Sequence, residues 1–106
     1  MAKKAILRFK VVSNLFKKLQ IRFHIPSDAP LQDVFREFNV LLLRRFQKSC
    51  SEEILSELLL GGYRLRSGRG GPEIFASSLP AYDHFCGADA LLELEVDEKF
   101  NEMPWE

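Results

Sequence analysis

The sequence has 106 residues, 46% of them hydrophobic with nine Phe, and its 15 basic and 15 acidic residues give a formal net charge of zero. That length is one domain with a single modest core, and without an apolar run of about 18 residues a membrane-spanning helix is excluded. The charge is uneven, with eleven Lys/Arg against three Asp/Glu up to Ser49 and four against twelve from Cys50 onward, which suggests either a bipolar surface or two solvated faces.

Ala5 to Val12 alternates as a strand, with Leu7, Phe9 and Val11 on one face and Arg8 and Lys10 on the other. Ser13-Asn14 begins a turn. Lys18 to Ile25 then alternates more cleanly, Leu19, Ile21, Phe23 and Ile25 against Lys18, Gln20, Arg22 and His24, so the two strands form a hairpin. Pro26, without an N–H for the ladder, ends it. From Ser27 to Gln47 the period changes. Leu31, Val34, Phe35, Phe38, Leu41 and Leu42 recur at steps of three and four, one face of a long helix that the hairpin would bury. Ser27 or Asp28 can cap its start, and Pro30 suits its first turn.

Lys48 to Glu53 is polar, and Ser51-Glu52-Glu53 can cap a short second helical turn. Leu55 to Leu60 fits helix or strand, with Leu58-Leu59-Leu60 before Gly61-Gly62 suiting a short buried strand. Tyr63 to Leu65 pairs with it or follows as a small strand. Ser67 to Pro72 reads as a flexible loop, Leu79 to Phe85 as a short helical turn, and Gly87-Ala88-Asp89 as a tight turn. Ala90 to Val96 is the last strand, and residues 97–106 form a polar, acidic tail. This order is that of an α+β, β-grasp (ubiquitin-like) fold. It implies a mixed sheet of four to five strands wrapped around one long helix, with the first and last strands parallel at its centre. Residues 1–106 make a single domain, and such a fold does not fix function.

Candidate chemistry is sparse. Cys50 and Cys86 lack a basic neighbour that would lower a thiol pKa, so they read as buried or incidental thiols. His24 and His84 have no ligand-spaced partners, so no metal and no cofactor is expected. Gly68-Arg69-Gly70-Gly71 runs into Pro72 and opens no helix, unlike a phosphate-binding loop. The outer row Lys10, Lys18 and Arg22 can touch phosphate, but no aromatic residues interleave on that face, and nucleic acid is not an expected partner. No catalytic residue and no enzyme activity is expected. The Met-Ala-Lys-Lys start leads into strand alternation rather than a signal peptide, and two Cys make no disulfide framework, which suits a reduced, cytoplasmic protein.

Lys4 through Val34, the run Phe85-Cys86-Gly87-Ala88-Asp89-Ala90-Leu91-Leu92-Glu93-Leu94, and Trp105 as the penultimate residue carry a closer resemblance. Their order and spacing resemble the family of autophagy-related protein twelve, a ubiquitin-like autophagy modifier; Arg44 to Glu57 is longer than the family's pattern and Gly61 to Ser78 aligns loosely. That resemblance implies a partner, autophagy-related protein five, in an E3-like complex that promotes lipidation of autophagy-related protein eight. It implies contact with the E2-like enzyme, autophagy-related protein three, through Lys4, Arg22 and Phe23, with core packing the alternative for Phe23. Trp105 and Gly87 would serve the contact with autophagy-related protein five, the alternative being a Trp folded back on its own sheet. Autophagy-related protein sixteen, and through the complex a preautophagosomal or organelle membrane, are implied further partners.

The family ends Trp-Gly, whereas this sequence ends Trp105-Glu106. Activation of such modifiers favours a terminal glycine, free of Cβ, so binding is expected to be non-covalent. A different reading is a ubiquitin-like adaptor domain that pairs through charged faces or binds small GTPases; a conjugated modifier is disfavoured by the missing glycine.

Overall fold

The computed structural model describes residues 5–13, 15–85 and 87–105. The hairpin strands run Ile6–Val12 (β1) and Gln20–Pro26 (β2), antiparallel, with Phe9 opposite Phe23 and Lys10 opposite Arg22. Then follow the helices Gln32–Phe46 (α1) and Glu52–Leu59 (α2) and the strands Tyr63–Ser67 (β3), Glu73–Ile74 (β4) and Asp89–Val96 (β5). Single 3-10 turns lie at Ala81–Asp83 and Glu98–Phe100. The sheet order is β2-β1-β5-β3-β4, with β1 and β5 parallel and the other neighbours antiparallel. A hairpin, a crossing helix and a last strand that returns to pair with the first make a β-grasp.

The sheet is mixed and five-stranded, but the single long helix is not what forms: α1 has 15 residues and α2 has 8. The second helix, longer than the single turn expected there, has local causes. Ser51 caps α2, its hydroxyl accepting from Ile54 N–H at 3.3 Å, and Leu55 and Leu58 turn the same face inward. The run Leu58 to Leu60 is therefore a helix end, not a buried strand, and Leu60 is 86% exposed. At the other end, neither Ser27 nor Asp28 caps α1. Leu31 N–H donates to Leu79 O at 2.9 Å and Gln32 N–H to Ser77 O at 3.0 Å, so a crossing strap of chain satisfies donors that a side chain would otherwise meet. Pro30 lies just outside the helix, bridged to Pro80.

Val34, Phe38, Leu42 and Phe46 bury the inner face of α1 in one cluster with Phe9, Val11, Ile21, Leu92 and Leu94. Phe35 and Leu41, expected within the same stripe, lie at its margins and are half-buried. The expected polar tail is folded back: Phe100 is buried, and Trp105 is 1% exposed, stacked on Phe16 at 4.7 Å and edge-on to Phe46 at 5.1 Å. Its indole N–H donates to Phe100 O at 2.9 Å, which satisfies the one polar atom it takes into the core.

The loop expected to be flexible, Ser67 to Pro72, is tied down. Ser67 N–H donates to Pro72 O at 2.9 Å, Gly68 N–H to Leu91 O at 2.8 Å, and the Arg66 guanidinium to Gly71 O at 3.3 Å. A Cβ on Gly71 would fall 1.9 Å from Ser67 O, so the turn closes only around a glycine.

Candidate functional site

Strand alternation sends Arg8 and Lys10 of β1, Arg22 and His24 of β2, and Asp89 and Leu91 of β5 to the outer surface of the sheet. Register aligns them across three strands in two rows, His24–Arg8–Asp89 and Arg22–Lys10–Leu91. Between them runs Phe23–Phe9–Ala90, packed toward the core: Phe9 is 2% exposed, stacked on Phe23 at 5.1 Å and edge-on to Phe85 at 5.1 Å. Apart from Leu91, the outward rows wall a depression of about 440 Å³ that Phe9, Phe23 and Ala90 also border. A second depression of about 260 Å³, lined by Ser67, Gly68 and His84, shares Asp89 and Ala90 with the first.

The electrostatics of the outer surface change from one side to the other. On β3 and β5, Arg64 Nη1 lies 3.1 Å and Arg66 Nε 3.0 Å from the Glu95 carboxylate. The hydrogen bond from Arg66 holds the Glu95 carboxyl below the usual carboxylate range, and Glu95 in turn raises Arg66. Glu93, buried beside them, accepts from Gly70 N–H at 3.3 Å. On β1 and β2, by contrast, Arg8, Lys10 and Arg22 form no ion pair among the described residues. Because β2 is an edge strand, its outer row of main-chain N–H and C=O groups also faces away from the sheet. A hollow with three cations against one carboxylate, Asp89, next to an open strand edge suits an extended, acidic segment.

The structure separates residues that the sequence grouped. Arg22 is exposed in the hollow, but Phe23, one residue on, points to the opposite face and packs on Phe9. Neighbours on a strand face opposite ways, so the Phe23 ring is turned mainly to core packing, although Phe23 borders the same hollow as Arg22. Lys4 lies outside the described residues, as do Cys86 and Glu106. Gly87 is exposed in the turn before β5, with φ of 84° and open space where a Cβ would be. Trp105 lies beyond the far end of β5, and a strand of that length puts roughly 25 Å between its ends. Trp105 and Gly87 are therefore not brought together, and in this structure Trp105 is an internal core residue. Arg8 and Asp89 complete the hollow without being expected in a site, and His24, considered only as a metal ligand, joins them. The outward alternation of Arg8 was a usable signal, whereas the place of Asp89 depends on the parallel pairing of β1 with β5.

Cys50 is half-buried and borders a depression of about 280 Å³ with Ser51, Ile54, Glu102 and Met103. No group of three or more His, Cys, Asp or Glu among the described residues could hold a metal ion. No described helix is long and apolar enough to cross a membrane.

No protein-family model matches the chain, and no curated protein matches it significantly. Solved structures do. A ubiquitin-like protein from Trypanosoma brucei superposes with a TM-score of 0.59 at 15% sequence identity, over 90% of this chain and 99% of that one. The ubiquitin-like domain of the Mycobacterium tuberculosis type VII secretion system protein ECCD1 gives 0.52 at 14% identity, over 85% of this chain and 97% of that one. The fold is ubiquitin-like. At these identities the likeness speaks for the ubiquitin-like fold alone.

Proposed function

We propose that the chain is a ubiquitin-like protein-interaction module that docks an acidic segment of a partner protein in the cationic hollow on β1 and β2. The observation that carries this reading is the set Arg8, Lys10 and Arg22 around one depression, three cations against the one carboxylate of Asp89 and without an ion pair among the described residues, whereas Arg64 and Arg66 on the same sheet are paired with Glu95. Such a surface attracts carboxylates and sets their register more than it supplies bulk affinity. The free edge of β2 offers the segment main-chain pairing as well.

In finer terms, the sequence resemblance makes autophagy-related protein three the partner at this hollow. Autophagy-related protein five is then the stable companion in an E3-like complex, with autophagy-related protein sixteen, that promotes lipidation of autophagy-related protein eight on a membrane. The companion is held non-covalently. What supports this is the resemblance, whose family ends Trp-Gly where this sequence has Trp105-Glu106; Trp105 itself, buried in its own domain, is not the residue that holds the companion.

The test is titration calorimetry of the purified chain against each of the two proteins. Charge reversal at Lys10 and Arg22 together is expected to weaken binding of autophagy-related protein three by roughly tenfold or more at low salt, with an unchanged melting temperature. Unaltered binding overturns the hollow as the docking site. A companion complex that survives denaturant and reductant overturns the non-covalent reading. If instead the chain self-associates at low salt and dissociates as salt screens the charges, the charge-paired adaptor reading replaces this one.

A further inference from the structure

The stack of Phe16 on Trp105 at 4.7 Å and of Trp105 against Phe46 at 5.1 Å draws together two segments distant in sequence. One is the turn after β1, where Leu15 is 68% exposed and Lys17 and Lys18 are exposed beside it. The other is the end of α1 and the chain just after it, where Arg44, Arg45 and Lys48 are exposed. Arg45 is fixed there by its bond to Trp105 O and by its place 5.7 Å from the centre of the Phe46 ring. Five cations therefore share the end of the molecule from which a leucine protrudes. The carboxylates at this end belong to α2, with Glu52, Glu53 and Glu57, and to the segment beside it, with Glu98 and Glu102. Glu57 is engaged by Lys99 at 3.5 Å, and none of the five cations forms an ion pair among the described residues.

We propose that this end docks on an anionic phospholipid bilayer, with Leu15 entering the boundary between headgroups and acyl chains and the five cations lying on the headgroups. The observation that favours a bilayer over another polyanion is the leucine. A turn that sets one large exposed apolar side chain beside two exposed lysines gains from a deformable interface that is charged outside and apolar within. RNA or an acidic protein tail would satisfy the cations and leave Leu15 in water. Each cation near such a surface strengthens binding roughly fivefold, and the effect falls off within a Debye length, so all five must lie close to the surface together. This goes beyond the docking of a partner at the β1–β2 hollow and requires none.

The experiment is flotation of the full chain with phosphatidylcholine vesicles, with and without phosphatidylserine. Binding is expected only where phosphatidylserine is present and is expected to fall with salt. Lys17→Gln with Lys18→Gln should weaken it roughly fivefold per charge, and Leu15→Ser roughly tenfold, both without loss of thermal stability. Should the tip variants unfold, Arg44→Gln with Lys48→Gln probes the same surface from the helix and is expected to weaken flotation as strongly. Absence of flotation by the unaltered chain overturns the proposal, as does flotation that ignores phosphatidylserine or the lysines. Flotation that depends on the lysines but not on Leu15 overturns it too, in favour of a non-inserting surface for polyanions such as RNA.

Discussion

Phe38→Ala tests how α1 sits on the sheet. Phe38 is fully buried, edge-on to Tyr63 at 5.1 Å and tilted toward Phe23 at 6.3 Å. Removing such a side chain forfeits about 1.5–3 kcal/mol of transfer free energy. The lost aromatic pair adds roughly 0.5–1.5 kcal/mol, and a cavity walled by helix and strands collapses incompletely. The expected loss is about 3–5 kcal/mol, a large part of the roughly 5–15 kcal/mol that holds a small domain together. Phe35 is half-buried at the margin of the stripe, so Phe35→Ala should cost about half as much. Urea unfolding followed by the fluorescence of Trp105, the one Trp in the chain, reads both losses against the unaltered protein. A loss below about 1.5 kcal/mol for Phe38→Ala, or a larger loss for Phe35→Ala, would mean that the helix presents a different face.

Trp105→Ala should lower stability by about 3–5 kcal/mol in a circular-dichroism melt; an unchanged melt would show that Trp105 does not close the core. Gly71→Ala brings a methyl group onto Ser67 O and should cost more than about 1 kcal/mol by the same measurement, whereas a neutral result would show the loop to be loosely held. Burial pushes the Tyr63 phenol well above its usual range. Its contribution is therefore complete below the unfolded phenol's pKa, near pH 10, and is lost as pH rises toward the raised folded value. Tyr63→Phe should flatten that alkaline decline in stability, and an identical decline in the variant would remove Tyr63 as its cause.

The hairpin was legible because one face of each strand is apolar and the other charged, and β1 and β2 fall within two residues of the expected spans. The stripe on α1 was legible for the same reason, at a period of 3.6 rather than 2. The start of α1 was not, since the donors that Ser27 or Asp28 would have capped are met by Leu79 and Ser77, carbonyls supplied from far along the chain. Leu55 to Leu60 contains too little polar residue to tell the two periods apart, and only the Ser51 cap signalled the helix. Phe100 stands alone among polar neighbours and Trp105 follows only Met103 and Pro104, at no strand or helix period, so no pattern showed that their segment returns to the core. Of the hollow, Lys10 and Arg22 were visible as an outward row. Its third wall required the pairing of strands from opposite ends of the chain.

That pairing orders events in time. The inner face of β1, Leu7, Phe9 and Val11, is completed by β5 and sealed near its end by Trp105, both made long after β1 itself. Contacts so distant in sequence slow folding. On the ribosome the hairpin must wait with its apolar side uncovered and the edge of β1 unpaired, the condition in which nascent strands join the wrong neighbour. Arg8, Lys10, Arg22 and His24 on its other side then act as a safeguard, since a charged ribbon is a poor template for another strand while the hairpin waits for β5.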